Sequence, residues 1–343
     1  MSVRVGLIGF GLAGRSFHAP LIDAEPRLVL TAVASSRADA VLASHPGVRV
    51  HPTAERLIAD PGIELVVIAT PNDLHAPLAR AALMAGKHVV VDKPFVVDLA
   101  DGAALIDLAK RQARMLSVFH NRRWDGDFLT VRNLLASGRL GDVRLGEFCW
   151  DRFRPTIKPG WREAGGDGGG VLADLGPHLV DQALQLFGNP DNVAGDILVQ
   201  RDDAQVDDYF ALTLGYGRCR VRLCASTLVA SARPRFALHG TMGSFVKYGI
   251  DPQEAALRAD VSVVSPGFGE EQPGSFGRLT APDGTQTQVP TERGDWRRYY
   301  AGVAAAILDG TPPPVSAEEA LTGLRIIDLA RRSAVENGRA LPF

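Results

Sequence analysis

The chain has 343 residues, 46% of them hydrophobic, which is typical of a globular protein with two domains rather than one. Its 37 basic and 39 acidic residues leave a net charge of −2, which disfavours nucleic acid or a membrane surface as a partner. Three cysteines are too few for a disulfide framework, and no apolar run is long enough to span a bilayer. We therefore expect a cytoplasmic protein with reduced thiols.

The first 120 residues alternate short apolar runs with helical patterns. The runs predict buried strands at Val3–Ile8, Leu28–Ala34, 65–69, His88–Val91 and 115–119, with a short pairing segment near Val48. Helical spacing is found at 12–22, 73–85 and 98–111. This alternation predicts an α/β fold, a Rossmann domain with a doubly wound parallel sheet, over residues 1–120.

Residues 121–343 follow a different pattern. A helix is predicted at 127–136, a strand at 143–152, and a long helix that follows the glycine-rich segment 165–170 and ends near Phe187. Further strands are predicted at 210–214, 218–223, 236–239 and 244–247, the last two joined by a hairpin turn. Segment 266–282 is predicted to be a loop, and a capping box at 316–319 begins the second of two closing helices. These elements predict an α+β domain with an open, mostly antiparallel sheet.

A glycine motif follows the first predicted strand and begins a helix: Gly9, Phe10, Gly11, Leu12, Ala13 and Gly14. In this context, the spacing G-x-G-x-x-G is typical of a dinucleotide site. One glycine makes the turn, the next lets the backbone approach the pyrophosphate, and the third allows close helix packing. A glycine-rich turn without a ligand is the alternative.

The end of the second strand indicates which dinucleotide binds. An NAD site would place a carboxylate here, on the ribose hydroxyls. This chain instead has Ser35, Ser36 and Arg37, two hydroxyls and a guanidinium that suit a 2′-phosphate. The sequence therefore favours NADP over NAD.

A lysine, Lys93, lies just beyond the end of another buried strand and is followed by Pro94. Open parallel sheets bind ligands at this edge, and a lysine there can polarise a substrate oxygen. The chain has only 5 lysines against 32 arginines, which suggests that an amine is needed at this position. A lysine that simply extends to solvent is the alternative.

Asp174 and His178 lie four residues apart in the long helix of the second domain. At this spacing they share one helix face, and a carboxylate beside an imidazole favours a general base. A structural pair is the alternative. A metal site would need further ligands, and the sequence offers no convincing ones, so we predict no metal.

Several motifs together resemble the glucose–fructose oxidoreductase, inositol dehydrogenase and rhizopine-catabolism (Gfo/Idh/MocA) family. They are the glycine motif, Ala69-Thr70-Pro71-Asn72 with His75, Asp92-Lys93-Pro94, the helix with Asp174 and His178, and the hairpin 240–244. Within the family, 17–21, 120–125 and 247–251 are most similar to NADP-dependent scyllo-inositol dehydrogenases. One departure is Asp92, where many family members have Glu.

The resemblance implies a hydride transfer between NADP and a small polyol or sugar. It implies that Lys93, Asp174 and His178 are catalytic and also contact the substrate. Further cofactor contacts would come from Thr70, Pro71, Asn72, His75, Lys93, Pro94 and Asn121, and further substrate contacts from Arg123, Trp124 and Tyr248. The second domain, 121–343, would bind substrate and form a homodimer or homotetramer.

Two other functions remain open. The substrate could be an aldose or keto-sugar instead of an inositol, because pocket shape decides such choices. A cofactor-sensing regulator without catalysis is the more remote alternative, since the chain keeps the lysine, aspartate and histidine that catalysis requires.

Overall fold

A computed structural model describes residues 2–160, 163, 165 and 168–343. Its strands, numbered β1 to β15 along the chain, are Val3–Ile8, Leu28–Ala34, Arg49–His51, Leu65–Ile68, His88–Val91, Leu116–Val118, Val143–Cys149, Asn192–Leu198, Tyr209–Tyr216, Cys219–Ser226, Phe236–Gly240, Gly243–Lys247, Gly277–Thr280, Gln286–Val289 and Leu341–Pro342. Its α-helices, α1 to α10, are Ala19–Asp23, Ala38–Ser44, Ala54–Ile58, His75–Met84, Leu99–Arg111, Gly126–Ala136, Gly170–Phe187, Gln253–Arg258, Arg297–Leu308 and Ala317–Val335. Gly166 and Asp167 of the predicted glycine-rich segment lie outside the described residues.

The chain divides into two units. The first comprises Met1–Asn121, Gln253–Phe268 and Asp295–Leu321, and the second comprises Arg122–Pro252, Gly269–Gly294 and Thr322–Phe343. The first segment of the first unit ends at Asn121, and two later segments belong with the same unit. The segment Asp295–Leu321 does so because buried aromatic side chains on α9 pack with residues of the Rossmann segment: the Tyr299 ring lies 4.9 Å from that of Phe119.

The first unit contains a six-stranded parallel sheet in the order β3-β2-β1-β4-β5-β6. This is the Rossmann strand order, and the order reverses between β1 and β4, where such sheets bind ligands. All residues of β4 are buried, as expected for a strand covered on both faces. The predicted parallel α/β domain is confirmed.

The second unit contains a nine-stranded sheet in the order β14-β13-β12-β11-β7-β10-β9-β8-β15. Among the strand pairs of this sheet in the described residues, only β7 and β10 are parallel, so the predicted mostly antiparallel sheet is confirmed. A core cluster joins α6 and α7 to one face of this sheet, with Phe148, Leu179 and Phe236 fully buried. Burial of such side chains is the main stabilising contribution in a domain of this kind.

Two predicted elements differ from the structure. Segment 266–282 was expected to be a loop, yet it contains β13, which pairs with both β12 and β14. The predicted helix 12–22 is interrupted by a π-helical turn at Gly14–His18. In the described part of the chain, no helix is long and apolar enough to cross a membrane.

Candidate functional site

The glycine turn after β1 has the geometry that a dinucleotide requires. A Cβ on Gly9, whose φ is +95°, would lie 2.3 Å from the carbonyl oxygen of Ala69, and one on Gly14 would lie 2.1 Å from that of Gly9. These glycines serve the turn and the close packing. A Cβ on Gly11 would have no protein atom within 4 Å, so the space in front of it is open to a ligand. The turn therefore fits a dinucleotide, whose pyrophosphate would meet the N–H groups at the start of the helix.

The other predicted residues of this turn take different positions. Leu12 is exposed and Ala13 is half-buried. The Phe10 side chain is buried and packs edge-on against the His45 ring. Only the backbone of Phe10 is thus placed to contact a cofactor.

The end of β2 presents polar groups to solvent. Ser36 and Arg37 are exposed, and the Ser35 hydroxyl accepts a hydrogen bond from the Arg37 N–H at 3.0 Å. Within the residues that the structure describes, the Arg37 guanidinium forms no hydrogen bond or ion pair. No carboxylate ends the strand, so the arrangement suits a phosphate better than a ribose hydroxyl.

Two further loops of this sheet edge are linked by His75 at the start of α4. Its Nδ1 lies 2.8 Å from the Pro94 carbonyl oxygen and its Nε2 lies 3.1 Å from that of Thr70. The loops it connects are those that carry Asn72 and Lys93.

His75 is also predicted as a cofactor contact, and its side chain is fully buried between the two loops. Burial lowers the pKa of His75, although Asp92 and the two carbonyl groups act in the opposite direction. The buried His75 ring therefore holds the two loops together through its contacts with the Pro94 and Thr70 carbonyl groups.

Lys93 itself is half-buried and lies two residues after the end of β5. Its backbone N–H donates to the Asp92 carboxylate at 2.8 Å. Asn72 and Asn121, also predicted as cofactor contacts, are mostly buried, whereas Thr70 is half-buried and Pro71 is exposed.

In the second unit, α7 carries Asp174 and His178 one turn apart, as predicted. The Trp150 ring, just beyond the end of β7, stacks on the His178 ring with 5.9 Å between centroids. Asp174 accepts a hydrogen bond from Arg152 Nη1 at 3.3 Å. The Trp150 indole covers one face of the His178 imidazole, and the Arg152 guanidinium holds one oxygen of the Asp174 carboxylate. Each contact restricts the orientation of the second side chain.

Sequence reasoning missed Trp150 and Arg152. Their position just after β7 was the available signal that they belong to a site, but residues at strand ends are too common for that position to be diagnostic. Two buried cations also flank Trp150: the guanidinium carbons of Arg122 and Arg235 lie 4.4 and 5.2 Å from its ring centroid. Such cation–π contacts fix the indole plane.

The predicted substrate residues differ in how accessible they are. Arg123 is buried and forms a bidentate ion pair with Asp181, in which Nη2 donates to Oδ1 at 2.6 Å and Nε donates to Oδ2 at 2.9 Å. Trp124 is half-buried, and Tyr248 is 54% exposed. The carboxylate of Asp181 thus already orients the Arg123 guanidinium, whereas the Tyr248 ring has a large free surface.

Acidic, histidine and cysteine side chains do not cluster as a metal site would require. No group of three or more could hold a metal ion among the described residues. The cysteines at 149, 219 and 224 are buried free thiols.

Comparison with known proteins agrees with this geometry. A profile of oxidoreductases with an NAD-binding Rossmann fold matches residues 3–120, and a GFO/IDH/MocA C-terminal domain profile matches residues 128–246. The chain is 45% identical to the uncharacterized oxidoreductase YdgJ of Escherichia coli K12, over 97% of this chain and 96% of that protein. It is 39% identical to IolW of Bacillus subtilis 168, named scyllo-inositol 2-dehydrogenase (NADP(+)), over 98% and 94% of the two proteins.

A solved oxidoreductase structure, YvaA of Bacillus subtilis, has the same fold. It superposes with a TM-score of 0.97 at 38% identity and covers 100% of this chain and 98% of that one. With both domain profiles matched in order and relatives that align over nearly the whole length, the chain belongs to the Gfo/Idh/MocA family of NAD(P)-binding oxidoreductases.

Proposed function

We propose that this oxidoreductase is an NADP-dependent dehydrogenase of a cyclic polyol, with scyllo-inositol as the first candidate substrate. The proposal depends most on the end of β2, where exposed Ser36 and Arg37 stand in place of a carboxylate. The choice of an inositol rests on the similarity to IolW, which extends over the full chain. When bound, NADP would accept a hydride from the carbinol carbon.

The protein's own contribution in the first unit would come mainly from Lys93. An ammonium group at the end of a parallel strand can donate a hydrogen bond to the substrate hydroxyl oxygen and stabilise negative charge that develops on it. Asp92, bonded to the Lys93 backbone N–H, would fix the start of that side chain.

In the second unit, His178 would take the proton from the hydroxyl group, with Asp174 as the substrate-orienting partner. The stacked Trp150 ring would hold the imidazole plane, and Arg152 would hold Asp174. Arg123, Trp124 and Tyr248 are proposed as further substrate contacts. We propose in addition a homodimer or homotetramer in the cytoplasm, which light scattering and fractionation would test.

A panel of substrates run with both NADP and NAD tests the proposal directly. We expect purified protein to reduce NADP with scyllo-inositol or myo-inositol and to reduce NAD more slowly. Lys93→Ala should abolish most turnover while the affinity for NADP, measured by fluorescence titration, changes little. Faster rates on aldoses or keto-sugars would favour the alternative substrate class.

Two outcomes would contradict the proposal. Cofactor binding with no turnover on any polyol or sugar would instead favour the cofactor-sensing regulator. Equal rates with NAD and NADP would contradict the role proposed for Ser36 and Arg37.

A further inference from the structure

A fully buried histidine, His18, lies close behind the glycine turn and has no part in the function proposed above. Its side chain has 0% exposure, and it is the last residue of the π-helical turn Gly14–His18. A π turn contains one more residue than an α turn and often occurs at functional positions. Its presence here calls for a physical reason.

Contacts of His18 connect three separate parts of the first unit. Its Nδ1 lies 2.7 Å from the Tyr300 hydroxyl on α9, and its Nε2 lies 3.8 Å from Asp92 Oδ2. The other carboxylate oxygen, Asp92 Oδ1, accepts the Lys93 N–H at 2.8 Å. The Phe119 ring covers the imidazole, with 4.2 Å between centroids. These contacts connect Tyr300, His18, Asp92 and the Lys93 backbone, and the one between His18 and Asp92 is at ion-pair distance, longer than a hydrogen bond.

The protonation states of Tyr300 and Asp92 are consistent with their contacts to His18. Burial raises the pKa of Tyr300 well above its usual value, so its hydroxyl keeps its proton and can donate. Burial alone would raise the pKa of Asp92, but the contact with His18 and the nearby Lys93 charge lower it overall, so the carboxylate is ionised. The Tyr300 hydroxyl can thus donate to His18 Nδ1, and Nε2 is the ring nitrogen that faces Asp92 at 3.8 Å.

We propose that His18 is a positioning residue for Lys93 and acts through the Asp92 carboxylate, an inference that rests on the catalytic role proposed above for Lys93. The backbone of Asp92 is already held, because its N–H donates to the Ile68 carbonyl at 2.9 Å. The direction of the Asp92 side chain is set by its two carboxylate oxygens. One faces His18 Nε2, and the other accepts the Lys93 N–H.

The experiment uses the lysines as probes. Because the chain has only five, protein labelled with [¹³Cε]lysine should give five signals, and Lys93→Arg identifies the one from Lys93. We expect His18→Leu to shift the Lys93 signal and leave the other four in place. In polyol oxidation, kcat should fall about tenfold, because a small displacement of a catalytic group is costly, with little change in the Kd for NADP. His18→Gln, which keeps a donor near the Nε2 position, should restore most of both properties.

Tyr300→Phe removes one oxygen and tests the same path if His18→Leu does not fold. Its matched control is Tyr299→Phe, since Tyr299 lies beside it, is equally buried and hydrogen-bonds Ser117 at 2.9 Å instead. We expect Tyr300→Phe to shift the Lys93 signal and Tyr299→Phe to leave it unchanged. In an Asp92→Asn background, His18→Leu should have little further effect, because residues that act through one another are not additive.

Three results would overturn the inference: an unchanged Lys93 signal in both His18→Leu and Tyr300→Phe, equal effects of the two tyrosine substitutions, or full additivity of His18→Leu with Asp92→Asn. The lysine signals are recorded without substrate. They therefore test the positioning role even if the panel of polyols shows no turnover, a result that would count against the proposed function alone.

Discussion

Arg152 donates from Nη1 to Asp174 Oδ2 at 3.3 Å, and both side chains are about a quarter exposed. The pair joins the end of β7 to α7 within the second unit. It holds a carboxylate that we propose as a substrate contact, so its effect should appear in catalysis more than in stability.

We predict that Arg152→Met raises the KM for the polyol about fivefold, because the freed carboxylate samples more orientations, and that the melting temperature changes little. Steady-state kinetics and thermal unfolding would measure both effects. Arg144→Met is the matched control, since Arg144 forms an exposed ion pair with Asp142 at 2.9 Å. Equal kinetic effects of the two substitutions would argue against a role for Arg152.

Gly11→Ala should weaken NADP binding by more than about tenfold while the protein stays folded. The methyl group would meet no protein atom within 4 Å, yet it would fill the space through which the pyrophosphate approaches. Fluorescence titration gives the Kd, and calorimetry gives the melting temperature. Gly47→Ala is the control, because Gly47 also has no atom within 4 Å of its Cβ position. Wild-type affinity in the Gly11 variant would place the dinucleotide elsewhere.

Arg37→Ala should raise the KM for NADP at least about tenfold and leave the KM for NAD nearly unchanged. A guanidinium bond to a 2′-phosphate is charge-assisted, and NAD lacks that phosphate. Measuring both cofactors on one variant provides the control within the experiment. A parallel rise for both cofactors would indicate a structural role for Arg37.

A buried ion pair in the second unit predicts a pH dependence of stability. Burial alone would raise the pKa of Asp208, but bonds from Arg201 Nε at 2.8 Å and from the N–H groups of Gln200 and Arg201 lower it overall. A carboxylate whose pKa is lower in the folded state stabilises the fold above its unfolded pKa of about 3.9, and this stabilisation is lost as the pH falls through the folded value.

Asp208→Asn should therefore reduce the free energy of unfolding by about 2 kcal/mol at pH 7, because three N–H donors lose a charged acceptor, while Arg201 keeps its ion pair with Glu163 at 2.6 Å. The difference from wild type should shrink as the pH falls from about 4 towards the lowered pKa of folded Asp208, because protonation removes the charge that asparagine lacks. Urea unfolding at several pH values measures it. Asp142→Asn, in the exposed pair with Arg144, should change stability by less than about 0.5 kcal/mol. A pH-independent difference would show that Asp208 acts through shape alone.

Sequence patterns predicted the parts of the fold that depend on local rules. The strands of the parallel sheet read as continuous apolar runs because both faces are covered, and the glycine motif predicted a turn whose three glycines have distinct steric roles. The Ser316 capping box also forms, with reciprocal bonds to Glu319 of 2.9 and 3.1 Å.

Features that depend on distant residues could not be predicted in the same way. The π turn at His18 is stabilised by a hydroxyl 282 positions away, on Tyr300. The stacking of Trp150 on His178 depends on how β7 and α7 pack, which no local pattern specifies. Strand β13 lies in a segment rich in glycine and proline, and its pairing with β12 outweighs that composition.

The return of Asp295–Leu321 to the first unit has a consequence for synthesis of the chain. Trp296, Tyr299 and Tyr300 are fully buried there, so a ribosome that has released only the first 121 residues has made a nucleotide-binding sheet with an unfilled hydrophobic gap. That gap closes only when residue 300 of 343, close to nine-tenths of the way along the polypeptide, has emerged. Synthesis of the nucleotide-binding unit therefore starts before that of the second unit, but the unit is complete only near the end of translation.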